Sequence, residues 1–252
     1  MHEFPLELFG GHFFIRHDGL TLLLDTGSPV SVGQRSPYRF LGRDVAVVRQ
    51  YNDMTIPDLS EIVRTRVDML LGADVLSRYA VAIDPEAGRV TFGSDPRAPR
   101  PRPVPLEVIG GIPVVNVSLA GRPRRVLLHT GASLSCLRDT DTRTYRSVGV
   151  ARDNYPGLGE FATELRRVPM SIGDQPLTLV CGSLPPVLEQ SLVRVRVHGI
   201  VGTNLLRSYK LGWAPGFCTL LLWPRRVSAG PGERLLAAVP EVQETVSVSS
   251  GF

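Results

Sequence analysis

The sequence predicts an all-β protein built from two related lobes. Short apolar runs alternate with turn residues, and the 252-residue chain contains 25 glycines and 21 prolines. Helical periodicity is weak, and short helices are expected only over residues 73–79 and 203–209. Several sequence elements of the first half also recur in the same order in the second half. We therefore expect an all-β fold of two pseudo-symmetric β-barrel lobes with a central cleft.

Each half opens with a Gly-Gly pair followed by a predicted β-hairpin. In the first half, HFFIRHDGLTLLLDTG places the turn residues His17, Asp18 and Gly19 between two apolar runs. In the second half, IPVVNVSLAGRPRRVLLHTG places its turn over residues 120–123. The same arrangement is thus predicted twice.

The second strand of each hairpin leads into a Thr-Gly turn. Residues 22–31 read LLLDTGSPVS, and residues 126–135 read VLLHTGASLS. The two segments share one frame of apolar and small residues, but the polar residue before Thr-Gly is Asp25 in the first and His129 in the second. Glycine after threonine allows close backbone approach. Two equivalent turns with different side-chain chemistry are therefore expected.

A third repeated element lies downstream of each turn. VDMLLGADVLSRYAVAIDP, at residues 67–85, aligns without a gap with VHGIVGTNLLRSYKLGWAP, at residues 197–215. Both contain an apolar-apolar-Gly sequence, which is expected to pack beneath the turn. Between the halves, SDPRAPRPRPVP has the composition of an extended linker. The predicted domains are an N-terminal lobe at 1–97, a linker at 98–105, a C-terminal lobe at 106–224 and a tail at 225–252.

Composition excludes several classes of function. The net charge is +4, and the basic residues are almost all scattered arginines, so nucleic-acid binding is not expected. The sequence lacks an apolar run long enough to span a membrane, so membrane insertion is not expected either. Three cysteines without a Cys-x-x-Cys pattern favour free thiols, and together with the absence of a signal peptide they predict a cytoplasmic protein. No metal-ligand spacing is present, so neither a metal nor another cofactor is expected.

The paired Thr-Gly turns and the paired glycine elements resemble the aspartic peptidase family, in its retropepsin-like and pepsin-like forms. The resemblance covers most of residues 8–223 and implies two peptidase-like lobes in one chain, with a peptide or protein in the cleft between them. In this family two aspartates share one proton, one acting as base on a water and the other donating to the peptide carbonyl. Asp25 and His129 occupy these two positions. The resemblance also implies support for the pair from Thr26, Gly27, Ser28, Thr130 and Gly131.

The supporting residues have separate expected roles. Thr26 and Thr130 resemble the paired threonines that hydrogen-bond across the lobe interface. Ser28 is expected to hydrogen-bond the outer oxygen of Asp25. Gly27 and Gly131 allow the two turns to approach each other.

His129 departs from the family pattern, since a second aspartate is expected there. A carboxylate beside an imidazole favours the protonated imidazole, and the cation in turn favours ionised Asp25. Two outcomes remain open. One is an endopeptidase of weak or absent activity, with Asp25 as base and His129 as proton donor; the other is an inactive homologue that binds an extended peptide or protein partner. Because one chain carries both lobes, a monomer is expected, with a homodimer that pairs two Asp25 lobes as the alternative.

The middle segment of the second half is a candidate for the flap that covers the cleft in this family. It spans residues 152–177, with Gly157 and Gly159 at its predicted tip and Tyr155 as a covering side chain. The corresponding segment of the first half, residues 33–66, is poor in glycine and is not expected to form such a hairpin. His12 and His17, on the first predicted hairpin, are expected to be ordinary strand or surface residues.

Overall fold

The computed structural model describes residues 1–93, 101–155 and 158–225. Within these ranges strands dominate, which confirms the predicted all-β class. The beginning of the expected linker and all but the first residue of the expected tail lie outside the described residues. We refer to residues 1–93 as the N-terminal half and to the described residues from 101 onwards as the C-terminal half.

The described N-terminal half consists of short strands and two short helices. They are β1 (His2–Pro5), β2 (Glu7–Phe9), β3 (His12–His17), β4 (Leu20–Leu24), β5 (Val32–Gly33), β6 (Tyr38–Phe40), β7 (Arg43–Val45), β8 (Gln50–Tyr51), β9 (Met54–Thr55), α1 (Ile56–Ile62), β10 (Met69–Leu71), α2 (Ala73–Leu76), β11 (Val81–Asp84) and β12 (Arg89–Phe92).

The C-terminal half has longer strands. Its elements are β13 (Arg102–Ile109), β14 (Ile112–Leu119), β15 (Arg122–Leu128), β16 (Ser135–Leu137), α3 (Asp139–Thr142), β17 (Ser147–Tyr155), β18 (Gly159–Ile172), β19 (Gln175–Ser183), α4 (Pro186–Arg194), β20 (Gly199–Val201), a 3-10 helix at Thr203–Arg207, β21 (Tyr209–Trp213), a 3-10 helix at Pro215–Phe217 and β22 (Thr219–Pro224).

Both predicted opening hairpins are present, and each turns through two residues with positive φ. Asp18 and Gly19 join β3 to β4, and Ala120 and Gly121 join β14 to β15. Two consecutive residues with positive φ match the right-handed twist of the flanking strands, and Asp-Gly suits that turn. The second turn is shorter than predicted, because β15 already begins at Arg122.

The strands that carry the Thr-Gly turns are paired in the same way in both halves. In the N-terminal half, β10 pairs in parallel with β4 and antiparallel with β5. In the C-terminal half, β20 pairs in parallel with β15 and antiparallel with β16. Each apolar-apolar-Gly sequence thus forms the central strand beside its turn, as predicted from the repeat.

A shared sheet joins the two halves. At one end of this 13-stranded sheet the strands run in the order β1, β12, β11, β21, β22 and β13. The first three of these come from the N-terminal half, and all the other strands of the sheet come from the C-terminal half. At the junction β11 pairs antiparallel with β21, and Ala82 lies opposite Gly212, the residue with which it aligns in the repeat. The expected linker at 98–105 therefore ends earlier than predicted, because Arg102–Pro105 pairs with β22 as part of this sheet.

One hydrophobic core extends through both halves. Its buried side chains include Phe13, Leu24 and Phe92 from the first half and Leu128 and Trp213 from the second. Such a shared core contributes far more stability than the few hydrogen bonds that also cross the junction. The position of the two turns is therefore fixed by packing on both sides.

The middle of the N-terminal half differs from the prediction. Residues 50–55 form a small hairpin, β8 and β9, whose tip residues Asn52 and Asp53 both have positive φ. Asparagine and aspartate tolerate this conformation, so glycine is not needed. The hairpin leads into α1, where Thr55 and Asp58 form a capping box.

The predicted hairpin of the second half is present as β17 and β18, and Tyr155 lies opposite Gly159 where the two strands meet. Gly157, the other predicted tip residue, lies outside the described residues. In the described part of the chain, no helix has the length and apolar character needed to cross a bilayer.

Candidate functional site

Asp25 and His129 lie at equivalent places, each directly after the strand that precedes its turn. The Asp25 N–H donates to the carbonyl of Leu71, and the His129 N–H donates to the carbonyl of Val201, both at 3.0 Å. These acceptors end β10 and β20, the strands of the two glycine elements. The glycine elements thus anchor the backbone of both polar residues.

Thr26 and Thr130 exchange hydrogen bonds between the halves. The N–H of each threonine donates to the hydroxyl oxygen of the other at 3.0 Å. The hydroxyl of Thr26 donates to the Leu128 carbonyl at 2.6 Å, and that of Thr130 donates to the Leu24 carbonyl at 2.8 Å. Both threonines are fully buried. The network therefore fixes the distance between the two turns.

The two turns place the side chains of Asp25 and His129 in contact. Nε2 of His129 lies 3.0 Å from Oδ1 of Asp25, and the side chains are 15% and 10% exposed. The same Oδ1 accepts the Gly27 N–H at 2.7 Å. Asp25 Oδ2 is the carboxylate oxygen not used by either bond. The site therefore contains a nearly buried carboxylate–imidazole pair in direct contact.

Gly27 and Gly131 leave the space that this contact requires. A Cβ atom on Gly27 would lie 2.0 Å from Cδ2 of His129, and one on Gly131 would lie 2.4 Å from Cγ of Asp25. Both distances are far shorter than non-bonded carbon contacts. Each turn glycine thus accommodates the polar side chain of the opposite half.

The pKa values of the pair shift in opposite directions. Burial alone raises the pKa of Asp25, but the charge and hydrogen bond of His129, the Gly27 N–H and the charge of His12 together lower it below its ordinary value. Burial lowers the pKa of His129, but the charge and hydrogen bond of Asp25, with a contribution from Asp153, raise it above its ordinary value. Both shifts thus favour the imidazolium–carboxylate form of the pair.

Ser28 does not make the expected hydrogen bond to Asp25. Its hydroxyl donates instead to the carbonyl of Val30 at 2.7 Å, within its own turn. A serine hydroxyl readily satisfies a carbonyl two residues away. Ser28 therefore stabilises the turn and leaves the carboxylate to Gly27 and His129.

A pair of serines that the sequence did not single out supports both turns. Ser31 accepts the Gly72 N–H at 3.0 Å and donates to Asp74 at 2.8 Å. In the second half, Ser135 accepts the Gly202 N–H at 3.0 Å and donates to the Asn204 side chain at 2.5 Å. The sequence pattern that could have predicted this role is the serine at the aligned last position of LLLDTGSPVS and VLLHTGASLS.

Two side chains of the long hairpin interact with the pair. Tyr155, on β17, is a predicted covering residue, and burial together with the charges of Asp25 and Tyr51 raises its pKa. Tyr51 lies on the small hairpin of the N-terminal half. Asp153, two residues before Tyr155, interacts electrostatically with His129. The long hairpin thus contributes ionisable groups to the site, and the small hairpin interacts with it through Tyr51 and Tyr155.

His12 is a third ionisable group at the site, contrary to the expectation that it is an ordinary strand or surface residue. Burial lowers its pKa below the ordinary value, outweighing the charge of Asp25 and the backbone of Gly131, which raise it. Its Nδ1 atom is buried and has no hydrogen-bond partner among the residues that the structure describes. The repeat offered one signal, because His12 follows its Gly-Gly pair where Ile112 follows the second.

Within the described ranges, no group of three or more His, Cys, Asp or Glu side chains is arranged to hold a metal ion. No protein-family model matches the chain, and no curated protein matches it either. The site is accordingly interpreted from its own geometry.

Proposed function

We propose that the protein is an aspartic-peptidase-like protein that binds an extended peptide in a cleft at the Asp25–His129 pair and hydrolyses it weakly. The observation that carries the proposal is the pair itself, with 3.0 Å between Oδ1 of Asp25 and Nε2 of His129. The reciprocal hydrogen bonds between Thr26 and Thr130 also support the proposal, because they hold together the two turns that carry Asp25 and His129.

The proposed architecture is two related, barrel-like lobes. Its support is the identical pairing of β4, β5 and β10 in one half and of β15, β16 and β20 in the other. In the C-terminal half, β18 pairs with β14 as well as with β17 and β19, which curls that sheet back on itself. A two-lobed chain also supports a monomer, and the free thiols of its three cysteines support a cytoplasmic location.

The chemistry follows from the single proton between Asp25 and His129. In the proposed reaction, Oδ2 of ionised Asp25 accepts a proton from a water, and the resulting hydroxide attacks the peptide carbonyl. The protonated His129 donates its proton to the carbonyl oxygen. The proton on Asp25 then passes to the leaving nitrogen, the amide bond breaks, and one hydroxyl proton of the intermediate returns to His129, which leaves a carboxylic acid and an amine. The pair thus contains one transferable proton, as a two-aspartate site does.

Two features of the pair limit the rate. Hydrogen bonds from Gly27 and His129 lower the basicity of the Asp25 carboxylate, which weakens it as a base. Nε2 of His129 also lies against Asp25, so the imidazole must move away from the carboxylate to reach a substrate. These two features equally favour the alternative function, an inactive homologue that binds a peptide. Such a peptide would bind by strand pairing with β17, which is the edge strand of its sheet.

The test combines peptide cleavage with peptide binding. Wild type, Asp25→Asn and His129→Asp are incubated with a peptide library from acid to neutral pH, and cleavage is read by mass spectrometry. We expect slow cleavage by wild type, loss in Asp25→Asn and faster cleavage at acid pH in His129→Asp. Circular dichroism of each variant controls for folding.

The outcomes separate the two functions. Peptide binding without cleavage by wild type or by His129→Asp would support the inactive homologue. Cleavage that survives Asp25→Asn would contradict a role for the pair. If no peptide binds to any of the three proteins, the cleft proposal is wrong.

A further inference from the structure

A cavity of about 160 Å³ lies against the long hairpin of the C-terminal half. Its walls come from β17, β18 and β19, from the residues just after the His129 turn and from the 3-10 helix Thr203–Arg207. Ser133 and Asp153 link it to the pair, because Ser133 belongs to the turn segment and Asp153 interacts with His129. The cavity therefore lies beside the proposed peptide path.

Three arginines line this cavity: Arg152, Arg167 and Arg207. Arg152 forms an exposed ion pair with Glu160 at 3.0 Å. The Arg167 side chain has no hydrogen bond or ion pair with the residues that the structure describes. Its guanidinium is therefore available for an incoming anion.

Asp153 is the acidic residue of the lining, and it does not neutralise the arginines. Burial raises its pKa, while the Asn154 N–H and the charge of His129 lower it, and none of the three arginines contributes. Asp153 thus interacts with His129 rather than with the arginines. The remaining lining is neutral, with Thr178, Asn204 and Ser208 as its polar residues beside Ser133.

We propose that this cavity is a carboxylate-binding subsite in which Arg167, with Arg207, recognises the ligand. A guanidinium presents a planar fork of N–H donors that matches a carboxylate. The carboxylate belongs to an acidic side chain of the bound peptide or to its free C-terminus. The inference rests on the proposed function, because it takes the peptide to lie between β17 and the Asp25–His129 pair.

The first arm of the test uses a small probe and does not depend on peptide binding. N-acetylglutamate α-methylamide and its glutamine counterpart are titrated into labelled protein, and the amide NMR signals of Ser133, Asp153 and Thr178 are followed. We expect saturable shifts with the glutamate compound alone. Arg167→Gln should weaken binding about tenfold, Arg167→Lys should weaken it less, and the exposed Arg39→Gln on β6 is the matched control.

The second arm uses fluorescent peptides that differ in one carboxylate. Glutamate is exchanged for glutamine at each position in turn, and the C-terminal acid is exchanged for an amide. Loss of affinity with the first exchange identifies an acidic side chain as the ligand, and loss with the second identifies the C-terminus. Either loss should disappear in Arg167→Gln.

Failure of the subsite and failure of the proposed function give different results. Peptides that bind with no dependence on either carboxylate, or a glutamate probe that causes no saturable shift, overturn the subsite and leave the cleft proposal standing. Saturable, Arg167-dependent shifts by the probe support the subsite even if no peptide binds, and that result contradicts the proposed function alone.

Discussion

Nε2 of His129 lies 3.0 Å from Oδ1 of Asp25, across the junction between the two halves. The carboxylate and the imidazole are nearly buried, and each changes the pKa of the other in the direction that keeps both charged. Removing one member of a buried ion pair leaves the charge of the other buried without an opposite charge. The resulting loss of folding stability is larger than that from removing an exposed pair. The pair should therefore control proton binding at the site as well as its geometry.

The first prediction concerns the pKa of His129 when its partner loses its charge. Asp25→Asn removes the carboxylate charge that raises this pKa, and burial, which lowers it, then dominates. We expect the His129 pKa to move from above its ordinary value of about 6.5 to below it. Imidazole NMR titration measures the change, and His198, whose lowered pKa does not depend on Asp25, is the internal control.

The second prediction concerns stability as a function of pH. Because the folded-state pKa of His129 is raised, its contribution is present below about pH 6.5 and is lost as pH rises through the folded-state value. The pKa of Asp25 is lowered, so its contribution is lost only as pH falls through that value. The stability advantage of wild type over His129→Gln should therefore be larger near pH 5.5 than near pH 9, by about 1 kcal/mol or more. Urea unfolding of both proteins at each pH measures it, and an advantage that grows with pH would contradict the ion pair.

The third prediction concerns the reciprocal hydrogen bonds between Thr26 and Thr130. Thr26→Val leaves the Leu128 carbonyl and the Thr130 N–H buried without their partner. An unsatisfied buried polar group costs about 1–3 kcal/mol, so the loss of stability should be about 2–6 kcal/mol. Thr26→Ser retains the hydroxyl and should lose much less. Urea unfolding compares the three proteins, and a loss in Thr26→Ser as large as that in Thr26→Val would contradict a dominant role of the hydrogen bonds.

The fourth prediction concerns the turn glycines. In Gly27→Ala the new Cβ would overlap the His129 ring, so the ring must move away from Asp25. We expect a loss of about 1–3 kcal/mol and a fall in the His129 pKa. Gly121→Ala is the control, because that glycine has positive φ but open space around it, and it should change stability without changing the His129 pKa.

Local sequence signals predicted the repeated framework well, because the repeat and the turn residues act over short distances. The Asp18-Gly19 hairpin turn and the strands beside the Thr-Gly turns follow from such signals. The contact of Asp25 with His129 joins distant parts of the chain and was expected from the family resemblance. Helix α4 was missed, although Pro186 at its first turn favours a helix start, because a proline pair is also typical of a loop.

The parts that were not predicted depend on tertiary contacts. The sequence allows the Ser28 hydroxyl to hydrogen-bond either the Asp25 carboxylate or a carbonyl of its own turn. The folded backbone places the Val30 carbonyl within reach, and Ser28 donates to it. Arg102–Pro105 has a linker composition, but the adjacent edge of β22 recruits it as a strand. His12 lies far from His129 in the sequence, and its position near the pair follows from the junction of the halves.

The last prediction concerns His12 and the stability of the protein in acid. The folded-state pKa of His12 is lowered by burial, so the native protein binds that proton less readily than the unfolded chain does. Its presence therefore destabilises the fold as pH falls below about 6.5. His12→Ile, which installs the residue found at the aligned position 112, removes this penalty and the unpartnered Nδ1. We expect the stability of His12→Ile relative to wild type to increase between about pH 7.5 and pH 5. Urea unfolding at both values measures the difference, and His2→Ile, at an exposed histidine on β1, is the control. A relative stability of His12→Ile that is the same at both pH values would mean that His12 does not titrate differently in the folded protein.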